Sequence, residues 1–244
     1  KKGEDSYTNF FVELFGGFTG ALGGDAGGQG DLITAIEPSV QAELERTLGE
    51  YLAQWHPAFA GGIVMDPHTG EIVAMAKAPT FDLNLFNQQT DPAMFANPQV
   101  EGVFEMGSII KPLTMAAGLD AGVVTEATTY DDTGCITLDQ KKICNFDHQA
   151  RGVVPMQEVL SQSLNVGSAF IATTLGPETF REYFLHRYKL GQESGIDLPG
   201  ELHGMVGNLN SSRRIEYATA AFGQGIAVPP VAMVRALAVL GNGG

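Results

Sequence analysis

From Pro38 the chain reads PSVQAELERTLGEYLAQW, with Val40, Leu44, Leu48 and Leu52 recurring every fourth residue. That spacing predicts an amphipathic helix. The next stretch, GGIVMDPHTGEIVAMA, sets two β-rich runs either side of Asp66-Pro67-His68-Thr69-Gly70. Those five residues have turn chemistry, so an antiparallel hairpin is expected, with His68 as a turn residue. GSIIKPLTMAAGLDAG predicts a helix ending near Gly122. Proline is tolerated only in a helix's first turn, so Pro112 places the start close to Ser108. MQEVLSQSLNVGSAFIATTLG predicts a helix, a break around 163–165 and a second helix. FREYFLHRYKLG is a further helix with a glycine stop, and EYATAAFGQG and PPVAMVRALAVLGNGG give two more around loop 223–230. Few strands are predicted after residue 76 beyond the segment that holds the cysteines. The pattern as a whole is α+β.

Composition narrows the possibilities. A chain of 244 residues can bury a substantial core, as one large domain or a domain with an appendage. A hydrophobic share of 44% is that of a globular protein. A formal charge of −14, with only 14 Lys and Arg, argues against a nucleic-acid partner, because phosphate binding needs basic patches. No apolar run reaches the roughly 18–20 residues that span a bilayer. The first residues also lack the pattern of a secretory leader, so a protein working outside the cytoplasm would need a targeting segment absent from this chain.

Residues 1–30 read as the tail of another element followed by a glycine-rich linker, GGFTGALGGDAGGQG. The strand–turn–helix context of a phosphate-binding loop is missing there. Phe10, Phe11, Phe15 and Phe18 fall at helical spacing and are read as packing against a missing element rather than touching a membrane. The expected division is therefore 1–30 as remnant and linker, with 31–244 as the folded domain.

Cys135 and Cys144, in CITLDQKKIC, are the only cysteines and lie symmetrically about Asp139-Gln140. A hairpin turning there places them opposite each other, either bridged or as two free thiols; an extracytoplasmic setting favours the bridge. The five histidines are scattered, without H-x-x-x-H or H-x-H spacing, and there is no C-x-x-C. A metal site is not expected.

Chemistry concentrates in EMGSIIKPLT, where Ser108 precedes Lys111 by three residues. A serine at a helix start has backbone N–H groups and the positive dipole end close by, which favour developing negative charge. A lysine one turn on reaches the same face, and burial lets its amine give up a proton and act as a base. Ser-x-x-Lys alone is common by chance, so a second group has to converge on it. Ser163-Leu164-Asn165 supplies one: a serine that can relay a proton and an asparagine that can hold a lysine and a substrate amide, set against the plainer reading of a polar helix cap.

Five segments in order, GGIVMDPHTGEIVAMAKAPTFDLN, EGVFEMGSIIKPLT, LSQSLNVGSAF, GIDLPGE and AFGQGIAVPPVAMVRALAVLGNGG, resemble the transpeptidase domain of penicillin-binding proteins from about Asp31 to the last residue. The resemblance is closest to the monofunctional, class B type, in which DLITAIEPSVQAELE is similar to the join with a non-catalytic pedestal. It implies a penicillin-binding, serine transpeptidase-like fold: a helical subdomain plus an antiparallel sheet. It also implies Ser108 as the acylated nucleophile, Lys111 as its base, Ser163 as proton relay and Asn165 as the residue contacting Lys111 and the substrate amide. Gln224 and Gly225 follow as substrate-binding candidates.

The implied reaction is attack on the D-Ala–D-Ala bond of a peptidoglycan stem peptide, with transfer of the acyl group to a neighbouring strand. β-Lactams would acylate the same serine, no cofactor is needed, and membrane-anchored cell-wall synthesis proteins are the expected partners. The implied location is the outer face of the bacterial cytoplasmic membrane, held by an N-terminal segment outside this chain.

The sequence departs from the family pattern at Met106, where proline is usual, and at Asn145-Phe146-Asp147, where the family has Asn-Trp-Asp. The Lys-Thr/Ser-Gly strand would fall beyond Gly244, so the sheet is expected to be incomplete and reaction with penicillin poor. A serine β-lactamase, a β-lactam sensor or pseudo-transpeptidase scaffold, and the transpeptidase half of a bifunctional class A protein are the competing readings. Leu164 between Ser163 and Asn165 argues against a class A β-lactamase.

Overall fold

The structure is a computed structural model that describes residues 33–244. The expectations for the glycine-rich segment and for Phe10, Phe11, Phe15 and Phe18 lie outside the described residues. The remainder divides into two compact units. One holds the residues up to Gly102 together with Glu193–Leu202, and the other holds Val103–Gln192 with His203–Gly244.

In the first unit, helix α1 (Pro38–Trp55) starts where the Glu37 side chain accepts from the Ser39 N–H, and it ends at His56 in the left-handed region (φ 48°). Strands β1 (Ala60–Met65) and β2 (Ile72–Ala78) form the expected hairpin, with Ile63 opposite Met75 and an irregularity at Val64/Met65. In its turn the His68 N–H donates to the Asp66 carboxylate (2.8 Å) and the Gly70 N–H to the Asp66 carbonyl (2.9 Å). His68 is thus a turn residue, as its neighbours imply. The helix docks on this hairpin through Gln41, whose amide donates to the Met75 carbonyl (3.0 Å) and accepts from the Met75 N–H (2.9 Å). The Glu37 N–H donates to the Val73 carbonyl (2.8 Å). Gly62 lets the helix approach, since a Cβ there would lie 2.7 Å from Leu44 Cδ1. The short helix α2 (Pro98–Glu101) carries buried Gln99, whose amide donates to the Ala76 carbonyl.

The second unit is mainly helical. A 3₁₀ turn (Gly107–Ile110) runs into α3 (Lys111–Asp120), so the helical segment begins where Pro112 requires. Strand β3 (Thr129–Asp132) pairs with β6 (Gly152–Pro155). Between them lies the cysteine hairpin, β4 (Cys135–Leu138) with β5 (Lys141–Cys144). Then come α4 (Met156–Ser161), α5 (Asn165–Arg181), a π-helical turn (Glu182–Arg187), α6 (Arg214–Ala220) and α7 (Pro230–Asn242). The separation expected between the helix through TTLG and the one in FREYFLHRYKLG is present within α5: Gly176 (φ 78°, ψ 165°) is non-helical and, followed by Pro177, divides it into two helical segments. The core gathers Leu113, Val159, Leu164, Ile171, Phe180, Phe184 and Met233, all essentially inaccessible. Gly118 brings α3 close to α5, as a Cβ there would sit 2.7 Å from Ile171 Cγ2.

The β3–β6 pair is the element that hydrophobic patterning misses. Its strands are four residues long, and on β3 the positions turned inward are Tyr130 and Asp132. Buried Asp132 breaks the apolar alternation because it is held by hydrogen bonds rather than by packing: the Asn145 side chain donates to both of its oxygens (2.9 and 3.0 Å).

Cys135 faces Cys144 across the hairpin, whose turn residues Asp139 and Gln140 both have positive φ (47° and 65°), and a disulfide joins the two. A loop this short is worth about 2–3 kcal/mol by chain entropy. Replacing both cysteines with serine should lower the unfolding free energy in urea by that amount.

Candidate active site

The second unit contains all four residues singled out for chemistry. Ser108 is the second residue of the 3₁₀ turn, following Gly107 with φ +60°, and is exposed. Lys111 opens α3 and is only 2% exposed. Its ammonium donates to the Ser163 hydroxyl (2.8 Å) and to the Ser163 carbonyl (2.5 Å). Burial pulls its pKa down from 10.5 to about 8, because a charged amine loses hydration there. Among the described residues no hydrogen bond joins the Ser108 hydroxyl to Lys111 or Ser163.

Ser163 owes its position to the way α4 ends. The Leu164 N–H bonds back to the Val159 carbonyl (2.9 Å) and the Ser163 N–H to the Leu160 carbonyl (3.2 Å). This is the Schellman pairing, and it puts Ser163 in the left-handed position (φ 54°) that glycine usually fills. Leu164 and Val159, each 1% exposed, both belong to the hydrophobic core, at the positions where that motif favours apolar residues. The strained residue therefore points both its carbonyl and its hydroxyl at Lys111.

Asn165 is the first residue of α5, and its amide donates to the Cys144 carbonyl (2.9 Å) rather than to Lys111. One residue further, the Val166 N–H donates to the Asn145 side chain (3.1 Å). The start of α5 is thereby fastened to two consecutive residues at the end of the cysteine hairpin. In Asn145-Phe146-Asp147 the three side chains part company. Asn145 is buried, Phe146 is 97% exposed, and Asp147 binds Arg151 through both carboxylate oxygens (2.8 and 2.7 Å). That guanidinium holds the Asp147 carboxyl down at about 2.

The AFGQG segment, residues 221–225, packs directly on the nucleophile turn. The Thr114 hydroxyl donates to the Ala221 carbonyl (2.8 Å), the Gly107 N–H to the Gly223 carbonyl (3.3 Å), and the Gly225 N–H to the Glu105 carboxylate (2.8 Å). Gly223 has φ +79°, and a Cβ on it would fall 2.2 Å from the Gly107 oxygen. Gln224 and Gly225 are both exposed beside this contact. Glu105, Gly107 and Gly223 were not among the sequence candidates. Gly223 forms a G-x-G with the candidate Gly225 after EYATAAF, but nothing in the sequence pairs that segment with residue 107. Cys135, Cys144 and His148 have their ligand-type atoms within 4.8 Å of one another, but both sulfurs are committed to the disulfide.

Two outcomes follow from this geometry. Gly223→Ala should cost more than about 2 kcal/mol in urea unfolding, since neither the backbone conformation nor the space admits a side chain. Ser163→Gly should be about 1 kcal/mol more stable than Ser163→Ala, both having lost the hydroxyl while only alanine keeps the left-handed penalty. Equal stability of the two Ser163 variants would contradict the Schellman assignment.

Comparison with known proteins agrees with the geometry. A family model described as the penicillin binding protein transpeptidase domain matches residues 60–244. Stage V sporulation protein D of Bacillus subtilis (strain 168) is 32% identical over 216 residues, covering 88% of this chain and 33% of that protein. The probable peptidoglycan D,D-transpeptidase FtsI of Caulobacter vibrioides is 33% identical over 220 residues, covering 90% of this chain and 36% of that protein. The chain thus spans about a third of the length of these relatives. The transpeptidase domain of penicillin-binding protein 3 from Burkholderia pseudomallei superposes with a TM-score of 0.75 at 27% identity, covering 90% of this chain and 60% of that one. With a buried lysine a turn behind an exposed serine, and a family match over three quarters of its length, the chain belongs to the penicillin-binding protein transpeptidase family.

Proposed function

We propose that this chain carries the acyl-enzyme chemistry of a peptidoglycan D,D-transpeptidase, with Ser108 as nucleophile. The observation that carries the reading is Lys111, buried, held to the Ser163 hydroxyl at 2.8 Å and brought down to a pKa of about 8. At neutral pH, about one unit below that value, roughly a tenth of such lysines are neutral amines able to take a proton.

The Ser108 oxygen attacks the carbonyl carbon between the two D-alanines of a stem peptide while Lys111 accepts the hydroxyl proton. Ser163, bonded to that amine, passes a proton to the departing nitrogen; the C–N bond breaks, free D-alanine leaves and an ester to Ser108 remains. An amine from a neighbouring strand then attacks the ester, forming a new amide and returning the proton. With the Gly107 N–H committed to the Gly223 carbonyl, the Ser108 N–H is the donor assigned to the developing oxyanion. Asn165, anchored by its amide N–H on Cys144, keeps its amide oxygen for Lys111 or for the substrate amide. Gln224 and Gly225 flank the same turn and bind the substrate. A β-lactam opens on Ser108 by the same attack.

The disulfide supports an extracytoplasmic setting, where such bonds persist. We place the chain on the outer face of the bacterial cytoplasmic membrane, working with membrane-anchored cell-wall proteins. Residues 31–244 form its transpeptidase part.

Incubation with excess benzylpenicillin followed by peptide mass spectrometry should find an adduct on Ser108 that Ser108→Ala abolishes. Lys111→Met should slow its formation by about a hundredfold or more. An adduct of the same yield in Ser108→Ala would overturn the assignment. Because the neutral amine is the reactive form, the acylation rate should climb about tenfold per pH unit below about 8 and level off above it. A profile that stays flat from about pH 6 to about pH 9 would remove Lys111 from the base role.

A further inference from the structure

Ser163 occupies a backbone conformation that serine does not favour, so something has to hold it there. The Schellman pairing fixes the backbone from the α4 side. A second tie comes from outside that helix. Arg151 donates from Nε to the Gln162 side-chain oxygen (3.0 Å), and Gln162 immediately precedes Ser163. The same guanidinium donates to both Asp147 oxygens (2.8 and 2.7 Å) and to the Gln149 carbonyl (2.6 Å). Gln162 is held from its other end by its own amide donating to the Glu158 carboxylate.

Arg151 therefore spends its planar fork on three partners from two directions, an arrangement that a lysine's single ammonium cannot reproduce. Asp147 lies two residues beyond Asn145, which is buried, bonded to Asp132 and accepting from the Val166 N–H at the head of α5. The turn of residues 145–151 is thus rigid at both ends. Through it Arg151 ties the last residue of the α4 cap to the start of α5, on either side of Ser163.

We infer that Arg151 is a positioning residue for the proposed acylation, holding Gln162 so that the Ser163 hydroxyl stays on Lys111. This rests on the function proposed above. Arg151 itself touches neither Ser108 nor Lys111, so its effect on the reaction runs through Ser163.

Two measurements test this separately. The first reads geometry without chemistry: in Arg151→Met, hydrogen exchange of the peptide covering residues 162–165 should quicken about tenfold, with the α5 amides beyond residue 168 unchanged. The second reads the reaction: Arg151→Met should slow penicillin acylation of Ser108 about tenfold in the parent chain and leave it unaltered in a Ser163→Ala background. Gln162→Leu, at an exposed position, cuts the same tie from its other end and should give the same two results if Arg151→Met fails to fold. Unchanged exchange at 162–165 in either variant overturns the inference, and so does equal slowing in the parent and Ser163→Ala backgrounds. Faster exchange with no Ser108 adduct in the parent would instead sink the proposed acylation and leave the positioning role standing.

Discussion

A lysine ammonium removed from water has to find oxygen atoms, and in this fold it finds two on one residue. Much of the second unit's local construction follows from that requirement. Ser163 offers its carbonyl and its hydroxyl together from the left-handed backbone region, where the Schellman turn that ends α4 holds it, with Leu164 buried in the core. A glycine would be more comfortable there, but glycine has no hydroxyl. The choice of serine exchanges local comfort for a second oxygen on the amine, a common bargain at reactive centres.

The same logic explains why the start of α5 is stitched so firmly to the cysteine hairpin. Cys144 accepts from Asn165 and Asn145 accepts from Val166, so two neighbouring residues of one segment bind two neighbouring residues of the other. The covalent bridge at the base of that hairpin ties Cys144, the first of these acceptors, to Cys135 on the opposite strand. On the opposite side, Gly107 and Gly223 meet backbone to backbone, which leaves that contact no side chain to vary. The nucleophile turn is thus clamped by groups more than a hundred residues away in sequence.

How far the sequence reveals this depends on whether a feature is local. Pro112 fixes the start of the nucleophile helix because its missing N–H restricts it to the first turn, and the structure begins α3 at Lys111. The symmetry of Cys135 and Cys144 about Asp139-Gln140 gives the hairpin register, since cross-strand pairing is a matter of counting. By contrast, β3 and β6 are too short to show a period, and their buried Asp132 looks polar until Asn145 is placed against it. Glu105, Gly223 and Arg151 were illegible for a related reason. Their importance lies in partners that the fold, not the chain, brings near. The Asn165 amide shows the same limit: its residue type and spacing are plain in the sequence, but its bond to the Cys144 carbonyl is not.

In the first unit, Gln41 satisfies both the N–H and the C=O of Met75, and the Glu37 N–H takes the carbonyl of Val73. A primary amide has the same donor and acceptor spacing as a peptide bond, so a helix side chain here stands in for a missing strand. The outer edge of β2 is thereby closed to further ladder pairing at those positions. Any additional strand that widens this sheet has to join alongside β1. One glutamine on a helix consequently sets the direction in which the sheet can grow, and it shields the opposite margin from unwanted pairing with another chain.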